Sequence, residues 1–152
     1  FKLIKNALES KSKTSEGQKF IDFTMMSIDG KSVKLSDVVS TNKLTLVDFW
    51  ASWCGPCRRE IPNVKRQYEL YKDKGFEVIS ISIDKNETAW KKAVEEEKLL
   101  WPNFIDKTNV AKTYSVRSVP SMFLIDTTTM DIIASGDAAR GEKLANKLAE
   151  LF

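Results

Sequence analysis

Two apolar runs set the terms on which this chain can fold: "LTLVDFW" (Leu44–Trp50) and "FEVISISI" (Phe76–Ile83). Both are near-continuous in apolar, β-branched and aromatic residues, which suits strands buried on both faces rather than strands with one wet side. Between them, Ile61, Val64, Tyr68 and Tyr71 recur at helical spacing. Pro62 lies inside that pattern, where it should kink the helix. Strand, helix, strand in that order predicts a βαβ unit with parallel strands and a right-handed crossover. An α/β fold follows: a mixed central sheet flanked by helices on both faces.

The flanking segments extend this frame. "DFTMMSIDGKSVKLSD" reads as a β-hairpin turning at Asp29-Gly30, with Ser36 placed to cap the short helical piece "DVVS". Beyond the second buried run, "DKNETAWKKAVEEEKL" reads as a helix. Asp84 and Glu87 stand at capping-box spacing there, and Trp90 and Val94 share a face. "WPNFID" should be extended, since proline restricts the residue before it. A short helix is expected around Val110–Tyr114. "SMFLID" and "DIIASG" make an antiparallel hairpin, and "GEKLANKLAELF" closes as an amphipathic helix through Leu144, Leu148 and Leu151. Trp50, Trp90 and Trp101 are expected in the core.

The 152 residues suit one domain. No stretch approaches the roughly 18–20 apolar residues of a membrane-spanning helix. Residues 1–17, with Leu3, Ile4, Ala7 and Leu8 at helical spacing before the polar "ESKSKTSEGQK", are expected to be a frayed helix and linker from an upstream region. Residues 18–152 are expected to form the folded domain. The formal charge of +3 resides in the first 19 residues, where five lysines face Glu9 and Glu16. A short basic lead-in of this kind is a solvated linker rather than a nucleic-acid arm, and the aromatics are not interleaved with basic residues.

The chain has no histidine, which excludes serine–histidine and cysteine–histidine hydrolysis and the commonest zinc ligand. Its only two cysteines, Cys54 and Cys57, sit together in "VDFWASWCGPCRREIP". A structural zinc site needs four ligands and the pair supplies two. As a staple the pair would close a tiny loop, and disulfide stabilisation grows with loop length. The third reading is thiol redox chemistry, for which a Cys-x-x-Cys beside a βαβ pattern is a specific signal. At a strand-to-helix junction, unpaired N–H groups and the helix dipole favour a Cys54 thiolate. Pro56 in the first turn gives up only an N–H that has no partner within the helix. Cys57, one turn on, should lie deeper, so that an exposed attacker is paired with a shielded resolver.

"FWASWCGPC" resembles the active-site segment of thioredoxins, and "RSVPSMFLID" resembles the segment that carries their cis-proline. "GQKFIDFTMMSIDGKSVKLSD" is similar to the N-terminal hairpin of the TlpA/ResA-like extracytoplasmic thiol–disulfide oxidoreductases. The resemblance implies a thioredoxin-like fold over residues 18–152, with an N-terminal β-hairpin extension. It implies a protein-disulfide reductase in which Cys54 attacks, Cys57 resolves, and the redox disulfide takes the place of any cofactor or metal. Asp48, matching the buried acid of thioredoxins, and Glu60, matching an acid of ResA-like proteins, are both candidates for the proton acceptor.

Pro120 matches the cis-proline, and Val119 before it would offer backbone groups to an extended client. Trp53, Gly55 and Pro56 would line the contact surface. The partners implied are disulfide-bearing protein clients and an upstream thiol donor, with no nucleic acid, outside the cytoplasm in the periplasm or cell envelope. Membrane attachment would come only through an anchor outside these residues. Gly55-Pro56 between the cysteines is the thioredoxin pair, which implies a reductant. Two alternatives are a peroxiredoxin-like peroxidase, against which Ala51 replaces the expected threonine, and a non-catalytic client-binding module.

Overall fold

Strand β3 (Leu44–Trp50) is buried along its whole length, and β4 (Phe76–Ser82) nearly so. They pair in parallel from Leu44↔Phe76 to Trp50↔Ser82, around helix α2 (Gly55–Tyr71). The computed structural model describes residues 17–18, 22–39, 43–106 and 118–152. The linker expected over 1–17, apart from Gly17, and the helix expected near Val110–Tyr114 lie outside the described residues.

The described residues build a seven-stranded sheet. A second βαβ unit follows the first: α3 (Glu87–Glu97) leads to β5 (Asn103–Ile105), which pairs in parallel with β4. The hairpin β1 (Thr24–Ser27) and β2 (Ser32–Lys34) adds to β5 antiparallel. Its turn uses Gly30 at φ +83°, a left-handed conformation that glycine adopts without steric cost. On the other side, β6 (Ser121–Asp126) and β7 (Asp131–Ser135) form the predicted antiparallel hairpin against β3. The strand order is β2-β1-β5-β4-β3-β6-β7.

Side chains alternate across each strand, so the sheet divides the core into two faces. Val47, Phe49, Ile79 and Ile81 point to the face on which α1 (Leu35–Val39) packs through Leu35 and Val38. Leu46 and Val78 point the other way, to Val64 of α2 and to Leu144 and Leu148 of α4 (Gly141–Leu151). Trp50 extends that second face to Trp90 and Ala93 of α3 and to both cysteines. The two βαβ units wind in one direction, which is why α2 and α3 share a face.

Local expectations fared unevenly. Pro62 lies within α2, which continues past it to Tyr71. Ser36 is inside α1 rather than at its cap; its hydroxyl and N–H both donate to Asp22 at the base of the hairpin. The cap of α3 is Asn86, whose Oδ1 accepts from Ala89 N–H at 3.1 Å, and not Asp84, which a tertiary contact has claimed. Leu151 is exposed, so the buried stripe of α4 ends at Leu148. Trp50, Trp90 and Trp101 are buried, as expected.

Candidate active site

β3 runs out at Trp50, and residues 51–54 make a tight turn closed by Cys54 N–H donating to Ala51 C=O at 3.1 Å. The turn delivers Cys54 to the N-cap position of α2. There its sulfur accepts the N–H of Cys57 at 3.1 Å, one of the helix-end donors with no partner within the helix. Pro56 occupies the first turn, where its missing N–H costs nothing. Cys54 and Cys57 are joined as a disulfide, with Cα atoms 5.3 Å apart.

The expectation of an exposed Cys54 over a shielded Cys57 is not met in this oxidised form: Cys54 is 4% exposed and Cys57 3%. Bonded to Cys57, the Cys54 sulfur lies back over the first turn, packed with Trp50, Ala51, Trp90 and Ile105. Exposure is carried instead by the rim, where Trp53 is 70% exposed and Gly55 and Pro56 are also open to solvent. The Val119–Pro120 peptide is cis, as expected for Pro120, and the Val119 carbonyl oxygen is 3.6 Å from Cys54 Sγ. Beside the rim, a cleft of about 500 Å³ opens between Trp53, Ile83, Lys85, Asn86 and Ala89.

The two candidate carboxylates have opposite surroundings. Asp48 sits mid-strand on β3, 7% exposed, on the same face as Leu46 and Trp50, with α2 packed over it. Among the described residues none hydrogen-bonds its carboxylate. Burial in the first place, and the nearby Glu60 carboxylate in the second, raise its pKa from 3.8 to about 7. Glu60 is half-buried and already engaged. Its Oε2 accepts from Gly141 N–H at 2.8 Å, the first residue of α4, and from Asn63 Nδ2 at 2.9 Å.

The residues preceding Cys54 are held by a group that sequence reasoning had assigned elsewhere. Asp84 accepts from Ser52 N–H at 2.9 Å, Ser52 Oγ at 2.6 Å and Ser82 Oγ at 2.5 Å. The spacing from Asp84 to Glu87 suggested a cap, and no local signal links position 84 to position 52. Among the described residues no group of three or more His, Cys, Asp or Glu could hold a metal ion, and no helix is long and apolar enough to cross a membrane.

A disulfide at the junction of a central parallel strand and its helix, faced by a cis-proline loop, places the molecule among the thioredoxin-like thiol–disulfide oxidoreductases. Comparisons with known proteins agree. Residues 16–131 match the AhpC/TSA family. Thiol-disulfide oxidoreductase ResA of Bacillus cereus is 36% identical over 127 residues, covering 83% of this chain and 72% of that protein. The thioredoxin domain of a thiol-disulfide oxidoreductase from Bacteroides vulgatus superposes with a TM-score of 0.80 at 33% identity, covering 90% of this chain and 97% of that one. A thiol-disulfide oxidoreductase from Bacteroides fragilis gives 0.79 at 30% identity, covering 89% and 100%. The chain belongs to the AhpC/TSA family and, within the thioredoxin superfamily, to its ResA/TlpA-like thiol–disulfide oxidoreductases. Its redox centre is the Cys54–Cys57 pair, and its partners as a class are thiols and disulfide-bearing proteins.

Proposed function

We propose that the protein works as a reductant of protein disulfides, outside the cytoplasm, and that residues 18–152 carry the whole reaction. The observation that carries this reading is the Cys54 sulfur, held at the N-terminus of α2 as acceptor of the Cys57 N–H. Hydrogen bonding and the helix dipole both favour a thiolate at that position.

In the reduced protein the Cys54 thiolate attacks a client disulfide, forming a mixed disulfide and releasing one client sulfur as thiolate. Cys57 passes its proton to Asp48 and attacks Cys54 Sγ, expelling the second client thiolate. The client gains two electrons and leaves as two thiolates, which take protons from solvent as Asp48 returns the Cys57 proton to it; the Cys54–Cys57 pair loses two electrons, and an upstream dithiol restores it. Asp48 suits the proton step because no described residue hydrogen-bonds its carboxylate and its pKa is raised to about 7. Glu60, tied to the start of α4, acts by placing its charge near Asp48 rather than by taking the proton.

Val119 presents its carbonyl beside the attacking sulfur, where an extended client strand can pair with the backbone before cis-Pro120. Trp53, Gly55 and Pro56 form the exposed rim that the client meets, and the cleft beside Trp53 takes an apolar side chain next to the client's cysteine.

Trapping tests the reading. A Cys57→Ser protein, expressed in the cell envelope, should accumulate mixed disulfides with client proteins through Cys54, and a Cys54→Ser,Cys57→Ser protein should not. Capture of no client, or a reduction potential well above that of glutathione, overturns the assignment as a reductant.

A further inference from the structure

Ser52 is the residue through which the rest of the fold grips the cysteine loop. It is a central residue of the turn that the Cys54 N–H to Ala51 C=O bond closes. Being past the end of β3, its backbone groups have no ladder partner of their own. Yet all its polar groups are engaged. Asp84 accepts both its N–H and its hydroxyl, and Arg58 Nε donates to its carbonyl at 3.0 Å.

Each holder is itself held. Asp84 is 5% exposed, accepts from Ser82 Oγ, and lies two residues past the end of β4. Ile83 N–H donates to Trp50 C=O at 2.9 Å, so the two strand ends stay in step up to the turn. Arg58 reaches across from α2 to Glu96 at 3.4 Å and Glu97 at 3.5 Å on α3. A buried carboxylate is costly unless hydrogen-bonded, and this one accepts twice from the turn residue two positions before the attacking sulfur, besides once from Ser82.

We infer that Asp84, with Arg58 as the opposing jaw, is a positioning residue for thiol–disulfide exchange: it fixes Ser52 so that the turn presents Cys54 Sγ to the Cys57 N–H and the Val119 carbonyl. Asp84 touches neither sulfur; it acts through Ser52. A reacting sulfur displaced by about 1 Å can cost on the order of 10²-fold in rate, so a jaw holding the turn has kinetic weight beyond its contribution to stability. The inference rests on the reading of the cysteine pair as the exchanging centre, and it adds determinants of that centre from the loop after β4 and from α2.

The test uses Asp84→Ala, Asp84→Asn and Ser52→Ala in the full chain. Asp84→Asn keeps one acceptor oxygen; Ser52→Ala keeps the N–H to Asp84 bond and alters no charge. Exchange of the reduced proteins with a small aromatic disulfide is timed by stopped flow, their potentials are set against glutathione, and melting temperatures are recorded separately. The expected losses in exchange rate run from about thirtyfold for Asp84→Ala through about tenfold for Asp84→Asn to about threefold for Ser52→Ala. Should Asp84→Ala not fold, the other two variants decide. Rates, and equilibrium constants with glutathione, within twofold of the parent, whatever the melting temperature does, overturn the inference and leave Asp84 a purely structural residue. If the parent itself does not exchange, the reading of the cysteine centre fails instead.

Discussion

Asp48 and Asp84 are both buried aspartates on the central parallel strands or just beyond them, and the fold treats them in opposite ways. Asp48 projects from the middle of β3 under α2 with no described residue hydrogen-bonding its carboxylate, and its pKa is pushed up to about 7. Asp84 follows β4 and accepts from Ser52 twice and from Ser82. Burial alone therefore says little about what an acid does; its complement of donors decides. A carboxylate left without donors is free to accept a proton, whereas one saturated with them is committed to geometry. Glu60 falls on the second side of this divide, tying α2 to α4 through Gly141 N–H.

The largest way to break this comparison is through stability against pH. A pKa raised from 3.8 to about 7 means that the folded state binds a proton the unfolded chain has released. Asp48 therefore costs nothing below about pH 4, and its cost grows as pH rises toward 7 and then levels off. Three units correspond to about 4 kcal/mol. Denaturant melts of Asp48→Asn and parent at pH 4 and pH 8 should show the variant gaining stability relative to the parent by that order between the two pH values. A pH-independent difference would remove the case for an uncompensated acid.

Next in size is the proton step. Asp48→Asn should slow decay of a preformed Cys54 mixed disulfide by about 10²-fold at pH 7 and abolish the inflection near pH 7 in that rate. Asp84→Asn should keep the inflection even where it lowers the rate. Loss of the inflection in Asp84→Asn instead would reverse the roles assigned to the two acids.

Smaller again is Glu60→Gln, which weakens one charge-assisted bond at the start of α4. It should cost about 1 kcal/mol in chemical denaturation and leave mixed-disulfide decay within about threefold of the parent. A hundredfold loss would return Glu60 to candidacy as proton acceptor. Least of all, Trp53→Ala should raise KM for a protein client by about threefold and leave reduction of a small disulfide unchanged, since Trp53 is 70% exposed and serves the rim. Equal effects on both substrates would place the indole in the chemistry itself.

Most of the architecture was legible because it rests on local rules. The run Leu44–Trp50 predicted a doubly buried strand, and every residue of β3 is buried. Asp29-Gly30 predicted the hairpin turn, and Gly30 takes the left-handed conformation. Cys54, Cys57 and Pro120 stood out by spacing and resemblance, and the structure brings all three together. Local rules failed where a distant group outbid a near one. Asp84 had the spacing of a capping box, but a contact to Ser52, 32 positions away, satisfies the acid better, and Asn86 caps α3. Ser36 was drawn off its expected cap by Asp22 in the same way. The burial of Cys54 escaped prediction because it depends on side chains of β3, α3 and β5 meeting at one place.

The sequence by itself determined the order of the elements, the parallel central pair and the position of the two sulfurs at a helix start, because hydrophobic periodicity and backbone chemistry act over a few residues. Only the tertiary structure decided which acid has no donor among the described residues, which one grips the cysteine loop, and how little of Cys54 faces solvent. Those properties are sums over neighbours from separate segments, and hydrogen-bond saturation and desolvation take their values only once the segments have packed.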